Sequence, residues 1–490
     1  MNEANLITKG EIIITRTYRA FLLWIIGLYL ILNMGFMQIR IPPVVGGGIP
    51  IGEIVLLISL LTVNHVHQLR DLSKTVYLVP FIIWWTLSLS QATLGVSEYG
   101  MWALRDASHV IESLFLIVGF AFAVRIQEID RFFKWIPKIL LIATIYGFTY
   151  PFRDTLSSIS PILVSGAGYD VPLFFNFNTT FPLLLVASAY LLLYEDGKRN
   201  RGWLYYPVSI LVLGYTVFIS QSRTVYLQIA ALLSLFFIYR RKLFGKWVIA
   251  ILLLAIILLA ISAFDIQIIG RLGQSVSYDF LIKHFLTIGG VENQGVEGAA
   301  AGVDLRLSWW SMLYDQWASN IQTVFFGLGY GLPLTDFYNL EGAIVREPHN
   351  SYISVWARLG IIGILAFTWM HILLIKTWLS AYRKCVRLNW QEGIKWLLLM
   401  MIFFVLVWTN AIGEDAFEKP FFAIPYYFFW GVTLRFALYL KSQSAEMPAS
   451  DILGRDGALG YKPIVSYGQP YYRGLPALSG GKGAENTASS

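Results

Sequence analysis

The chain has 490 residues, of which 56% are hydrophobic and 14% charged, and its mean hydropathy is +0.60. This composition excludes an ordinary soluble domain and is typical of a polytopic membrane protein. The formal net charge of +7 comes from bases spread over many short connections, so we predict no nucleic-acid partner.

Apolar runs near the length that crosses the hydrocarbon core of a bilayer recur along the chain. We therefore predict an all-α fold, a polytopic transmembrane helix bundle of about 12 spans. The predicted spans are residues 19–38, 49–65, 77–94, 108–125, 133–150, 176–194, 204–221, 224–240, 246–264, 352–378, 395–412 and 422–440.

The spans divide the chain into four predicted segments. Residues 1–264 form the transmembrane bundle of spans 1 to 9, and residues 351–440 hold spans 10 to 12. Between them, residues 265–350 are the single large polar insertion, which we expect to form a cap of surface helices over an outward cavity. Residues 441–490 are rich in Gly, Ser, Pro and Ala without apolar periodicity, which predicts a disordered cytoplasmic tail.

Lys and Arg collect in every second connection, which predicts that those connections and both termini are cytoplasmic. Residues 265–350 carry nine acids and four bases, so we expect this loop to face outward. Arg223, in the turn before the eighth span, then lies at the outer boundary of the bilayer. A guanidinium there either snorkels or pairs with an anion. Arg306 is expected to begin an amphipathic surface helix that continues through Trp309 and Trp310.

His349 directly precedes the tenth apolar run. A lone loop histidine is more often an ordinary polar residue than a catalyst, but Arg223 and Arg306 on the same predicted face favour the catalytic interpretation. Guanidinium pairs bind phosphate oxygens, and an imidazole can take a proton from an attacking hydroxyl. The combination suggests displacement of a phosphorylated leaving group. Glu414 and Asp415 lie in the last outward turn without an Asp-x-Asp pattern, so we predict no metal site.

The motifs resemble those of the O-antigen ligase and polymerase family of membrane glycosyltransferases. His349-Asn350, nine residues, Gly360, two residues and Gly363 is similar to that family's His-Asn/Ser/Gln-x9-Gly-x-x-Gly signature. The turn Ser222-Arg223-Thr224 and the helix Arg306-x-x-Trp309 followed by Phe326-Gly327 also resemble the family pattern. Three ordered motifs over residues 220–363, together with the layout of spans, carry the resemblance.

The resemblance implies metal-independent, inverting transfer of a glycan from undecaprenyl diphosphate, without a cofactor, at the periplasmic face of the bacterial inner membrane. The acceptor is lipid A core or a growing polysaccharide, and membrane lipids surround the protein. In this scheme Arg223 and Arg306 hold the diphosphate, and His349 orients or deprotonates the acceptor hydroxyl. Four further residues are ranked below these three as diphosphate or acceptor contacts, namely Arg271, Arg346, Asn350 and Arg358.

Two alternatives stay open. A repeat-unit polymerase of O-antigen, capsule or exopolysaccharide differs from a ligase only in its acceptor. Polymerases often carry paired Arg-x10-Gly motifs, whereas Val164 and Ser234 stand at that spacing from Arg153 and Arg223, which slightly favours a ligase. A lipid-linked oligosaccharide flippase or other transporter would place ionisable residues deep in its spans. The only deep residues of this kind are Glu53, Glu112 and His371.

Overall fold

A computed structural model describes residues 16–42, 48–62, 65–165, 170–195, 202–271, 273–287, 297–337 and 345–443. Residues 1–444 form one compact unit, and the predicted tail beyond Gln443 lies outside the described residues. The helices are α1 Arg16–Met37, α2 Ile51–Leu61, α3 His65–Ser73, α4 Val79–Tyr99, α5 Met101–Asp106, α6 Ser108–Glu112, α7 Phe115–Phe122, α8 Ile126–Phe148, α9 Arg153–Ser158, α10 Thr180–Glu195, α11 Gly202–Ser220, α12 Arg223–Tyr239, α13 Arg241–Ala263, α14 Tyr278–Leu286, α15 Glu297–Trp317, α16 Ile321–Phe326, α17 Ser351–Arg387, α18 Gln391–Gly413 and α19 Pro420–Gln443.

Of the described residues 78% are helical, as expected for a polytopic helical membrane protein. The described residues contain six helices that are long and apolar enough to cross a membrane, namely α1, α4, α13, α17, α18 and α19. A seventh candidate is the pair formed by α8 and Tyr150–Ser158, which is bent by 50°. Shorter apolar helices lie at the other five predicted spans, so each predicted span coincides with a helix. The number of twelve spans stays a prediction, because those five helices are shorter than the length expected for a helix that crosses the bilayer.

Two short hairpins interrupt the helices. Strand β1, Arg40–Ile41, pairs antiparallel with β2, Ile49–Pro50. Strand β3, Ile162–Val164, pairs antiparallel with β4, Asp170–Pro172. Each hairpin connects two helices, so neither disturbs the all-helical bundle.

The core of the bundle lies where α19 packs against α7 and α18. A methyl group added at Gly119 would lie 2.0 Å from the carbonyl oxygen of Phe428, so α7 and α19 approach to backbone contact. On the other side of α19, the rings of Trp430 and Phe404 stack with centroids 3.9 Å apart. Small residues at crossings and aromatic layers between helices are what hold apolar helices together in a membrane.

The large insertion contains α14, α15 and α16. Helix α15 begins at Glu297, upstream of the predicted start at Arg306, because the run Gly298-Ala-Ala-Ala301 is rich in the strongest helix former. Leu313 packs with Leu334 and Ala357 in a small core separate from that of the bundle. This core joins the insertion to α17. That the insertion caps an outward cavity stays a prediction.

Helix α17 is broken at Gly360, which has φ +64°. The break removes the helical partners of the Ala357 and Arg358 carbonyls, and the loop supplies replacements. Leu328 N–H donates to Ala357 O at 2.7 Å, and Gly329 N–H donates to Arg358 O at 3.0 Å. The glycine-rich turn that follows α16 is thus tied to the broken helix by backbone hydrogen bonds.

Substituting Gly360 tests this joint. In Gly360→Ala the added Cβ would lie 2.5 Å from Phe325 backbone atoms and would sit at a positive φ, so we expect a loss of at least about 2 kcal/mol of stability. Gly245→Ala is the matched control, because Gly245 lies in α13 with no atom within 4 Å of an added Cβ. The measurement is thermal unfolding in detergent. Equal melting temperatures for the two variants would contradict the proposed constraint.

Candidate functional site

His349 is held by the start of α17. It has φ +52°, an uncommon conformation for a residue other than glycine. The next residue fixes it, because Asn350 Oδ1 accepts hydrogen bonds from the backbone N–H groups of Tyr352 at 3.0 Å and Ile353 at 3.1 Å. Asn350 Nδ2 also donates to Ile412 O of α18 at 3.0 Å. Asn350 therefore caps α17 and anchors the turn that carries His349.

Two carboxylates at the end of α18 face the imidazole. His349 Nδ1 lies 3.3 Å from Asp415 Oδ1 and 3.4 Å from Glu414 Oε2. Burial disfavours the imidazolium, but the hydrogen bonds and charges of Asp415 and Glu414 outweigh it and raise the pKa of His349 to about 9. With Nδ1 donating to these carboxylates, Nε2 is the nitrogen that remains for a substrate.

Lys419 completes the charge arrangement. Its Nζ lies 2.9 Å from Asp415 Oδ1 and 3.7 Å from Glu414 Oε2. Burial opposes ionisation of Asp415, yet Lys419 and His349 together hold the pKa of that carboxyl well below its usual range. The pKa of Lys419 is raised by the same contacts, against the effect of burial. At neutral pH the group therefore consists of two carboxylates and two cations.

His349, Glu414 and Asp415 also form a set that could hold a metal ion. One ligand atom from each lies within 4.8 Å of the others. The ammonium of Lys419, however, already lies against both carboxylates. A divalent cation would have to displace this ammonium, so the donor set is a poor metal site.

Arg306 and Arg223 adjoin this group. Arg306 lies on α15, and its guanidinium is 3.8 Å from Glu414 Oε1. Arg223 is the first residue of α12, is half-buried, and is close enough to Arg306 for their charges to repel. Among the described residues Arg223 makes no recorded ion pair or side-chain hydrogen bond. The site therefore has positive charge that its own carboxylates do not fully compensate.

A small cavity lies beside these charges. The N-terminal turn of α12 lines one wall, and Arg271, Glu414 and Lys419 line another. The remaining lining is amide, hydroxyl and apolar, from Asn178, Phe181, Pro182, Ser222, Thr224, Val225, Gln228, Asn410 and Phe422. The Ser222 side chain does not cap α12, and within the described part of the chain the buried Gln228 Oε1 has no hydrogen-bond partner. The cavity thus presents unused donors and acceptors.

The remaining two predicted arginines lie in a buried ion-pair network. Arg346 donates to both oxygens of Asp106, at 3.0 and 2.7 Å, and lies over the ring of Trp102. Arg358 is 1% exposed and pairs with Glu347 Oε1 at 2.6 Å and Asp106 Oδ2 at 3.2 Å. Their guanidinium groups are engaged within the protein, which differs from Arg223.

Sequence reasoning missed the partners in this network and the role of Lys419. Asp106 is separated from Arg346 by 240 residues, and no local pattern marks the pair. From sequence, Glu414 and Asp415 are predicted to form no metal site and to be supporting partners or loop charges, without being paired with His349. Their position in the last outward turn, on the same predicted face as His349, was the one available signal.

The comparison with known families matches residues 208–368 to the family described as O-Antigen ligase. No curated protein matches the chain. The match includes Arg223, Arg306 and His349, and it confirms the resemblance to the O-antigen ligase family.

The long apolar helices of the described residues and the match to this family indicate a multi-pass membrane protein. Members of the family are glycosyltransferase-like enzymes, and the match over residues 208–368 supports a function of the O-antigen ligase or polymerase type in polysaccharide biosynthesis.

The buried ion-pair network is expected to stabilise the folded protein. Arg358→Met leaves Glu347 without its cation and leaves Asp106 with Arg346 alone, so we expect a loss of about 3–5 kcal/mol. Arg383→Met is the control, since Arg383 is an exposed cation on the same helix. Thermal unfolding in detergent measures both. An Arg358→Met protein as stable as Arg383→Met would show that the network contributes nothing.

Proposed function

We propose that this protein transfers a glycan from undecaprenyl diphosphate to a hydroxyl of an acceptor sugar, as a ligase acting on lipid A core in lipopolysaccharide biosynthesis. The alternative acceptor is a growing polysaccharide, as in O-antigen, capsule or exopolysaccharide polymerisation, and the chemical step is the same. The observation that carries the proposal is the juxtaposition of His349, whose Nε2 is directed away from its carboxylate partners, with the undercompensated cations Arg306 and Arg223.

The cavity beside α12 is proposed as the diphosphate site. Arg271 lines this cavity, and Arg223 and Arg306 lie beside it, next to the lining residues Thr224 and Glu414. Guanidinium groups bind phosphate oxygens in pairs. The uncapped N-terminal turn of α12 supplies backbone N–H groups and the positive end of a helix dipole. Because α12 is apolar along its length, a polyprenyl chain can lie along the outside of the bundle while its diphosphate reaches this turn.

In the proposed step the acceptor oxygen attacks the anomeric carbon of the donor sugar. The bond between that carbon and the phosphate oxygen breaks, and its electron pair stays on the diphosphate. The acceptor proton passes to His349 Nε2, while Asp415 holds the Nδ1 proton and stabilises the imidazolium. Attack from the face opposite the diphosphate inverts the anomeric configuration. The arginines stabilise the charge that develops on the leaving group.

Transfer is proposed to need neither a metal ion nor a cofactor. The support is Lys419, whose ammonium neutralises the carboxylates that a divalent cation would otherwise use. Diphosphate is already a good leaving group when guanidinium groups bind it. Charge stabilisation by Arg223 and Arg306 then takes the place that Mg²⁺ holds in other phosphate chemistry.

We place the site on the periplasmic face of the bacterial inner membrane, with both termini cytoplasmic. The distribution of bases supports this orientation, since Arg240, Arg241 and Lys242 follow the end of α12 that is distant from Arg223. We assign Arg346 and Arg358 a positioning role, because they are paired inside the protein. Asn350 is assigned to hold His349 through the start of α17.

Removing the diphosphate arginines tests the proposal. Arg223→Ala and Arg306→Ala should each lower glycan transfer at least about 100-fold, because each removes a preorganised charge at the leaving group. The assay uses purified protein in detergent with a lipid diphosphate donor and with EDTA. Arg153→Ala is the control, because Arg153 is a cation paired with Asp154 outside the site.

Three results would each count against the assignment. Near-normal transfer by both arginine variants would contradict the proposed diphosphate site. Loss of wild-type transfer in EDTA, with recovery on adding Mg²⁺, would contradict the metal-independent mechanism. Absence of transfer in detergent, together with lipid-linked glycan movement across vesicle membranes, would favour the flippase alternative, because detergent leaves no compartments for a flippase to connect.

The pH dependence tests His349. A base with a pKa of about 9 is mostly protonated at pH 7, so transfer by wild-type protein should rise about tenfold per pH unit from pH 7 to 8.5 when chemistry is slow. Asp415→Asn removes the main hydrogen-bonding carboxylate, so the rising limb should move to lower pH while the maximum rate falls. Asp154→Asn, an exposed carboxylate elsewhere, should leave the profile unchanged. A wild-type rate that is flat over this range would exclude His349 as the base.

A further inference from the structure

A second charged cavity lies between the end of α10, the turn that joins α12 to α13, and the start of α18. Its volume is about 530 Å³. Among the described residues, five cationic side chains line it, namely Arg240, Arg241, Lys242, Lys246 and Lys395, together with one carboxylate, that of Glu392. Leu192, Leu193 and Leu243 form an apolar part of the wall. Positive charge and apolar surface thus meet in one concave site.

This cavity is remote from the proposed active site. Arg223 and Arg240 flank opposite ends of α12, whose 17 residues make it about 26 Å long. Glu392 and Glu414 are likewise at opposite ends of α18, whose 23 residues span about 35 Å. The cavity therefore opens at the far end of the same helices, where the apolar spans finish. A ligand there is at the level of lipid headgroups of the opposite leaflet.

The cations are arranged more specifically than loop charges that only set orientation. Lys395 lies inside the first turns of α18, over the ring of Tyr194 at 5.2 Å, and it pairs with Glu392 at 3.4 Å. Arg240 donates to Gln391 Oε1 at 3.4 Å, a long contact, while its buried Nε has no partner among the described residues. A buried donor without an acceptor indicates a missing polar partner.

We propose that this cavity binds the phosphate headgroup of an anionic glycerophospholipid. The cations supply the charge and hydrogen-bond donors for a phosphodiester, and the leucines continue the site toward the acyl chains. A membrane lipid is favoured over a soluble phosphate because leucine side chains form part of the cavity wall and the cavity lies at the end of the apolar helix α18. Basic pockets between helices at a membrane surface recognise acidic lipids in this way.

The test is lipid binding to the full-length protein in detergent. Dioleoyl phosphatidylglycerol should raise the melting temperature saturably, whereas dioleoyl phosphatidylcholine and inorganic phosphate should not. The double variant Arg241→Gln/Lys242→Gln should bind phosphatidylglycerol about thirtyfold more weakly, since each cation near an anionic lipid contributes about fivefold. Both residues are exposed, so the variant should fold.

A charge-matched control distinguishes binding at a specific site from non-specific electrostatic attraction. Arg383→Gln/Arg387→Gln removes two exposed cations that do not line the cavity, and it should bind the lipid as wild-type does. Equal weakening in both double variants would overturn the proposal, as would equal stabilisation by phosphatidylcholine. Protection by inorganic phosphate alone would reassign the cavity to a soluble phosphate ligand. Glycan transfer is a separate readout, because the proposed active site is at the other end of α12.

Discussion

The break of α17 at Gly360 is the constraint on which the candidate site depends. A continuous helix would keep the carbonyls of Ala357 and Arg358 within its own ladder. The positive φ of Gly360 interrupts these helical hydrogen bonds, and the backbone N–H groups of Leu328 and Gly329 donate to the two carbonyls instead. Backbone hydrogen bonds thereby join two segments that are distant in sequence. The turn carrying His349 is then positioned by Asn350 at one end of α17 and by this backbone joint about two turns deeper.

Electrostatic pairing around this joint separates two kinds of arginine. Arg346 and Arg358 are buried and meet Asp106 and Glu347 at short distances, so their charges are balanced within the protein. Such a network holds the loop against α17, and removing one member leaves an uncompensated charge. Among the described residues Arg223 has no ion-pair partner, and the like charge of Arg306 lies close to it. Folding gains nothing from placing two guanidinium groups together, so an anionic substrate is the natural reason for that arrangement.

The sequence predicted the helical class and the place of each apolar segment, because hydropathy over about 20 residues is a local property. It failed where local and tertiary effects compete. The start of α15 was placed at Arg306, whereas an alanine-rich run extends the helix back to Glu297. Spans such as 49–65 and 108–125 are mostly apolar, yet their helices end early or are interrupted, as in α2 and in the short pair α6 and α7. Hydropathy predicts which segments prefer an apolar environment, but it does not predict where the backbone of such a segment bends.

The candidate site was accessible from sequence only in part, for a comparable reason. Arg223, Arg306 and His349 could be selected because each stands next to an apolar run, where a polar group needs an explanation. Asp415 and Lys419 could not be paired with His349 in advance, since they are four residues apart in a separate turn and their contact depends on the packing of α18 against α17. Yet these partners set the chemistry. They turn an imidazole of ordinary basicity into one that is protonated at neutral pH, and they direct Nε2 as the atom available for substrate. A motif can therefore identify the histidine, but the protonation of its two ring nitrogens depends on contacts that only the fold creates.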